Sequence, residues 1–355
     1  MNTQIRKIYL DRNETTAGPA PECLDALRNI SSEELSCYTR DYSRGIKSSL
    51  SQRLSELYHV PEERVLLGYG SEDLIKQAVH CYLGSGDVLL KPELSWWYYD
   101  SVASEVHAET RTFRLVKEKH GFSFDPDLIL DAYRARRPQA LLISSPNNPT
   151  GNSLAIDDLR TVLAATEHTI VVLDQAYHGF TSINELPLPD LLDEFPHLVI
   201  LRTFSKLYGL AGARIGYALA GKGIKKLIKF NKKYLGYNRI SEALAMTALD
   251  ATEYYGALSR TIEKEKTKYY RSLGALPGMT VYESDASFVL ASFDPESGAQ
   301  IRQALSRNNI VIKFFDDDDI RLRNHMRISI GTPDENALVI ETMAQALTRR
   351  KVIAA

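Results

Sequence analysis

The sequence predicts an α/β protein: a mostly parallel sheet inside a large three-layer domain, accompanied by a smaller α+β domain. Three observations carry this expectation. Four short apolar runs, Val88 to Leu90, Ala140 to Ile143, Ile170 to Leu173 and Leu198 to Leu201, are too short for helices and rich in β-branched residues or leucine, as strands buried on both faces are. Helical patterns such as Ile156 to Ala165 lie between them, and that alternation favours parallel strands covered by helices on both sides. Directly after three of the runs come the polar clusters SSPNNPTG, DQAY and RTFSK, at the strand ends where ligands collect in such sheets.

At 355 residues the chain has room for about two domains of roughly 150 residues. Residues 35–250 are expected to form the large domain, and 1–34 with 251–355 the small one. The opening MNTQIRKIYLDRNE lacks the apolar stretch of a signal peptide, and no apolar run reaches the roughly 18 residues that span a bilayer. A soluble cytoplasmic protein is expected. The first thirty or so residues are too few for a domain of their own and are expected to pack against the small one.

The first clear helix begins at Ser71, read as its N-cap. Leu74, Ile75, Ala78, Val79 and Tyr82 recur at helical spacing, Glu72 and Asp73 suit the positive end of the dipole, and Gly84 closes the segment. Beyond residue 250 the pattern changes. A charged helix near Tyr254 to Leu273 leads to the strand ASFVLASF, a helix around Gln300 to Arg307, the strands IVIKFF and MRISIG, and a last helix. Thr332, Pro333 and Glu335 form a capping-box signature for that helix, and Ile340, Met343, Ala344 and Leu347 supply its apolar stripe.

Composition narrows the function classes. With 43 basic and 45 acidic residues the net charge is −2, so no global attraction draws the chain to nucleic acid or an anionic membrane. Cys23, Cys37 and Cys81 are odd in number, scattered and without a CxxC pair, which argues against a disulfide framework or a structural zinc site and for a reducing compartment. Asp316 to Asp319 form a short acidic run, read as a solvated loop.

Candidate chemistry concentrates in LRTFSKLYGLAGARIGY. Lys206 follows a strand and a Thr-x-Ser turn, with Arg214 eight residues on. A lysine in a desolvated cleft near another cation has a lowered pKa and acts as an amine nucleophile toward aldehydes. Asp174 ends the Ile170 run with Tyr177 three residues later, and Asn148 lies in the turn after the Ala140 run. Each piece alone is ordinary turn chemistry. Asparagine, aspartate and lysine following successive buried strands, in that order, are not.

GYGSED, SPNNPTG, DQAY and SKLYGLAGARIGY together resemble the fold-type I pyridoxal-phosphate enzymes, the class I/II aminotransferases, and most closely the histidinol-phosphate aminotransferase family. The resemblance runs from LDRNE at Leu10 to the final helix. It implies the pyridoxal 5'-phosphate transferase fold and a homodimer. Lys206 would form the Schiff base with the cofactor and move the proton, Asp174 would pair with the pyridine nitrogen, and Asn148 and Tyr177 would hydrogen-bond its phenolic oxygen. Gly70, Ser71, Glu72, Ser205 and Arg214 would hold the phosphate, joined by Tyr42 from the neighbouring subunit. Among the aromatics Trp96 to Tyr99, Trp96 matches the ring stacked on the cofactor, with Tyr99 the second candidate and core or interface packing the role of the others. Arg327, on the MRISIG strand, matches the clamp for the substrate's anionic group. Lys313 stands where a second substrate-binding arginine is usual.

Departures bear on the substrate. Members of the family carry a longer segment before the LDRNE-like motif, including a tyrosine that covers the substrate, whereas the motif here begins at Leu10. Gln175 replaces the glutamate of DEAY. The expected reaction is transfer of an amino group from an amino acid or related amine to a 2-oxo acid. The alternative is decarboxylation or elimination on the same cofactor, as in threonine-phosphate decarboxylase. A regulator built on this domain would need a DNA-binding segment for which nine preceding residues leave no room.

Overall fold

The computed structural model describes residues 7–181, 186–315 and 320–348, and the acidic run Asp316 to Asp319 lies outside them. Strand β1 (Ile8–Leu10) opens the chain. Then come β2 (Val65–Gly68), β3 (Val88–Pro92) and β4 (Glu109–Phe113), a ribbon of β5 (Val116–Lys117) and β6 (Phe122–Ser123), and β7 (Ala140–Ser144), β8 (Ile170–Asp174), β9 (Leu198–Thr203) and β10 (Gly216–Ala220). The last strands are β11 (Met279–Tyr282), β12 (Phe288–Phe293), β13 (Ile310–Phe314) and β14 (His325–Ser329).

Seven strands make the larger sheet, in the order β2-β10-β9-β8-β7-β3-β4, and every neighbouring pair is parallel except the two formed by β10. Successive side chains of a strand point to opposite faces. Along β7, Leu141 and Ile143 enter one core while Ala140 and Leu142 enter the other, and β8 and β9 divide in the same way. Both faces are therefore apolar, which is why these strands read as unbroken hydrophobic runs.

The helix Ser71–Tyr82 covers one face with Leu74, Ile75, Ala78 and Val79. Its N-cap is Gly70 rather than Ser71, and no side chain caps it. Gly70 has φ +84°, a left-handed conformation that glycine adopts without strain, so the chain turns one residue earlier than the capping pattern suggests. Gly216 at the start of β10 explains how closely this helix approaches the sheet: a Cβ there would lie 2.6 Å from Ser71 N and 2.7 Å from the carbonyl carbon of Gly70.

The smaller sheet has the order β1-β13-β14-β12-β11, with β1 parallel to β13 and the other neighbours antiparallel. The capping box of the last helix, Pro333–Thr348, is formed: Thr332 N donates to Glu335 Oε2 at 2.9 Å and Glu335 N to Thr332 Oγ1 at 3.3 Å. The N-terminal segment divides its packing. Strand β1 joins the small sheet, whereas the helix Pro21–Arg28 lies on the helix Arg239–Asp250, where Cys23 Sγ meets Leu244 O at 3.8 Å. Among the described residues no helix is long and apolar enough to cross a membrane, and no group of three or more His, Cys, Asp or Glu is placed to hold a metal ion.

Gly216→Ala puts a methyl group against backbone atoms that have no rotamer to yield, and overpacking of this kind destabilises by about 2 kcal/mol. Urea unfolding is expected to show that loss; an unchanged midpoint would mean that the helix start relaxes freely.

Candidate active site

A cavity of about 920 Å³ lies between the carboxyl ends of the large sheet's parallel strands and the small sheet. Gly70, Ser71, Glu72, Trp96, Asn148, Asp174, Tyr177, Ser205, Lys206, Arg214, Lys313 and Arg327 all line it. Tyr42 does not. It lines a separate cavity of about 400 Å³, is 44% exposed, and packs edge-on against Tyr234 at 5.0 Å.

One part of the cavity suits an anion. The uncapped start of the Ser71–Tyr82 helix has N–H groups unclaimed by a capping side chain, and the dipole there favours negative charge. Arg214, held at φ +49°, stands beside it and donates from Nη2 to Tyr69 O at 3.2 Å and to Glu72 Oε2 at 3.1 Å. Glu72 thus partners Arg214, so its carboxylate neutralises the guanidinium while its backbone serves the helix start. Ser205 is placed by its own turn, in which Ser205 N donates to Thr203 Oγ1 at 3.1 Å and the two hydroxyls lie 3.0 Å apart.

Lys206 enters the cavity from the turn after β9. Its Nζ donates to the carbonyls of Arg12 at 3.2 Å and Asn13 at 3.1 Å and lies 5.7 Å from the ring centre of Tyr177. Desolvation first, and then the charge of Arg327, bring its pKa down to about 8. Asp174 is fully enclosed at the end of β8, and burial pushes its carboxyl up. Tyr99 Oη, donating to Oδ2 at 2.7 Å, and Ala176 N, donating to Oδ1 at 3.0 Å, oppose that shift, as does the charge of Lys206.

From the small sheet come Arg327 on β14 and Lys313, its register partner on β13. Arg327 donates to Asn148 Oδ1 at 2.6 Å and to Asp11 O at 2.5 Å, while its Nε and Asp11 Oδ1 are buried without a partner. Asn13 is the joint between the two sheets and was missed in the sequence. Its amide donates to Tyr177 Oη at 2.7 Å, its backbone N–H to Ser329 Oγ at 2.9 Å, and its Oδ1 accepts from Ser329 Oγ at 3.0 Å. The available signal was a polar pair, Asn13-Glu14, immediately after a short strand.

The aromatic run also differs from expectation in detail. Trp96 is half-buried in the cavity wall, whereas Trp97, which also borders the cavity, is 69% exposed and packs edge-on against Trp96 and Tyr98. Tyr99, the second stacking candidate, also lines the cavity, with its hydroxyl on Asp174. Gln175, in place of the usual glutamate, accepts from Arg202 Nε at 3.0 Å beneath the site and does not line the cavity.

Comparison with known proteins agrees with this geometry. The sequence model of the aminotransferase class I and II family matches residues 5–343. Histidinol-phosphate aminotransferase of Ruminiclostridium cellulolyticum is 30% identical over 345 residues, 96% of this chain and 93% of its own length. That of Symbiobacterium thermophilum is 30% identical over 344 residues, 96% and 90% of the two chains. Among solved structures, histidinol-phosphate aminotransferase of Sinorhizobium meliloti, in complex with pyridoxal-5'-phosphate, superimposes with a TM-score of 0.85 at 23% identity, covering 97% of this chain and 91% of its own. A strand-end lysine, aspartate and asparagine gathered in one cavity, within a chain matched over nearly its whole length, place this protein in the histidinol-phosphate aminotransferase family of the class I and II aminotransferases.

Proposed function

We propose that the protein is a pyridoxal-phosphate-dependent aminotransferase that takes an amino acid or an amino-acid-derived amine as donor and a 2-oxo acid as acceptor. The observation that carries this reading is the enclosure of Lys206, its amine brought down to about 8, in one cavity with Asp174 and Arg327. The residues present fit the cofactor. An uncapped helix start with Arg214 and Ser205 suits a phosphate, Lys206 an aldehyde, and the buried Asp174 a ring nitrogen.

When bound, pyridoxal phosphate supplies an aldehyde that condenses with amines and a ring that withdraws electrons from the donor's α-carbon. The chain's own groups do the rest. Asp174, whose rise on burial is opposed by hydrogen bonds from Tyr99 and Ala176, would pair with the ring nitrogen and hold a proton there. Arg327 occupies Asn148 Oδ1, which leaves Nδ2 to donate to the phenolic oxygen. Asn13 likewise donates to Tyr177 Oη, so the hydroxyl proton of Tyr177 is free to donate in turn. Lys206, more readily neutral than a free lysine because its pKa is brought down to about 8, would take the proton from the donor's α-carbon and return it to the cofactor's aldehyde carbon, on the other side of the shared nitrogen. The planar fork of Arg327, with Nε unpartnered, binds the donor's carboxylate or phosphate, and Lys313 beside it extends the anion site.

On this reading residues 35–250 form the cofactor platform, and 1–34 with 251–355 carry Arg327 toward it. Tyr42, exposed and outside its own chain's cavity, reaches the phosphate of a neighbouring subunit in a homodimer. The cytoplasm suits the three free thiols of Cys23, Cys37 and Cys81.

Lys206→Ala is expected to lose the visible band of the reconstituted protein and to lower turnover by about a thousandfold or more; ordinary turnover in that variant sinks the assignment. Capture of the aldehyde by apo-protein needs the neutral amine, so its rate should climb with pH and level off above about 8. Arg327→Met removes a cation that lowers the lysine's pKa, and the same profile should then move to higher pH. Stopped-flow half-reactions with histidinol phosphate, aromatic and small polar amino acids will identify the donor, and carbon dioxide release without consumption of oxo acid would replace transamination with decarboxylation.

A further inference from the structure

Lys91 lies on β3, a strand otherwise buried among apolar side chains, and its own side chain is only 6% exposed. An ammonium this deeply buried is costly unless paired. Its two partners lie just ahead of it in the chain: Ser95 Oγ at 3.1 Å and Asp100 Oδ2 at 3.1 Å. Ser95 immediately precedes Trp96, and Asp100 immediately follows Tyr99. One ammonium therefore ties both ends of the segment that carries these two rings.

Behind the segment Tyr99, Val102 and Ala103 are anchored in the core, so its start, at Ser95 to Trp97, is the part that depends on polar contacts. Asp100 stands in the first turn of the helix Tyr98–Glu105, whose N-cap residue, Trp97, offers no capping side chain. Uncapped helix starts fray unless another contact restrains them, and the Lys91–Asp100 pair is such a contact. Within the segment Tyr99 N donates to Trp96 O at 3.2 Å, the two rings meet edge to face at 5.7 Å, and Tyr99 Oη reaches Asp174. Lys91 itself lines the cavity, but both of its partners belong to this segment.

We infer that Lys91 is a positioning residue for the cofactor ring, acting through Ser95 and Asp100 to set Trp96 against the ring's face and Tyr99 against Asp174. The inference rests on the pyridoxal-phosphate reading above. The ammonium of Lys91 is committed to Ser95 and Asp100, so its assigned role is to hold the groups that face the ring.

Trp96 and Trp97 are the two tryptophans of the chain, so Trp97→Phe leaves Trp96 as the sole indole emitter. In that background, quenching of tryptophan emission by bound pyridoxal phosphate reports where the Trp96 ring stands. Lys91→Met and Asp100→Asn should each weaken the quench and raise the cofactor's dissociation constant about tenfold, as loss of a charged hydrogen bond does, with the KM of the amino donor unchanged at saturating cofactor. The double variant should lose no more than the worse single one. Asp100→Asn should melt at a lower temperature than Lys91→Met, because it strands a buried ammonium, whereas Asp100, its side chain 48% exposed, returns to water when Lys91 is removed. Ser95→Ala removes only the neutral partner, and it should show a smaller loss of the same kind even if a charge variant fails to fold. Quench and dissociation constant at parental values in all folded variants would overturn the inference. So would a raised donor KM with an unchanged quench in Lys91→Met, which assigns Lys91 to the substrate. A parent protein that shows no visible band on reconstitution defeats the cofactor reading instead, so the two failures are distinguishable.

Discussion

The same low-polarity surroundings act on Lys206 and Asp174 in opposite chemical senses, and the fold sets hydrogen-bond donors against only one of the two shifts. Desolvation penalises whichever form is charged, so it lowers the pKa of the amine and raises that of the carboxyl. For Lys206 this is what amine chemistry needs, and Arg327 adds to it. For Asp174, in the role proposed for it, it is the reverse, since a neutral carboxylic acid would hold no positive charge on a ring nitrogen. Tyr99 and the Ala176 N–H donate to the two oxygens of Asp174 and counter the burial. Both donors are consequences of the sheet: one is the turn that ends β8, the other rises from the helix after β3.

The two sheets divide the labour. Parallel strands of the large sheet deliver Asn148, Asp174 and Lys206 from three successive carboxyl ends, because side chains just past parallel strands converge on one edge. The small sheet delivers Arg327, aligned with Lys313 by antiparallel register. Asn13 joins the two by bonding Tyr177 on one side and Ser329 on the other while its carbonyl accepts from Lys206. Arg327 with Asn148, and Lys206 with Asn13 and Tyr177, form two bonded groups that meet on the segment from Asp11 to Asn13, and in them the amide of Asn148 and the hydroxyl of Tyr177 are each held by one partner.

Much of this was legible in the chain. The buried strands could be read because both faces of β7, β8 and β9 are covered, which leaves uninterrupted apolar runs, and the helix Ile156–Ala165 was read with its observed bounds. Lys206, Asp174 and Arg214 were found because strand-end position is a local property and their residue types are chemically restrictive. The cap of the Ser71 helix was misplaced by one residue because Gly70 makes the turn by backbone conformation, a choice no side-chain pattern announces. Trp97 is expected in core or interface packing, and because an aromatic run at a helix start points its members in different directions, its ring stands 69% exposed at the cavity rim against Trp96 and Tyr98.

The sequence by itself determined the strands, the residues at their ends and the family to which they belong, since each depends on short-range periodicity or on contiguous motifs. Only the tertiary structure decided which side chain restrains which. Asn13 and Ser329 lie 316 residues apart, Asn13 and Tyr177 164, and Tyr99 and Asp174 75. Such pairs have no signature in either partner's neighbourhood, because a hydrogen bond that orients a catalytic group is set by where two sheets and a loop meet in space. The exclusion of Tyr42 from its own chain's cavity and the burial of Lys91 beside Ser95 and Asp100 are decisions of the same kind.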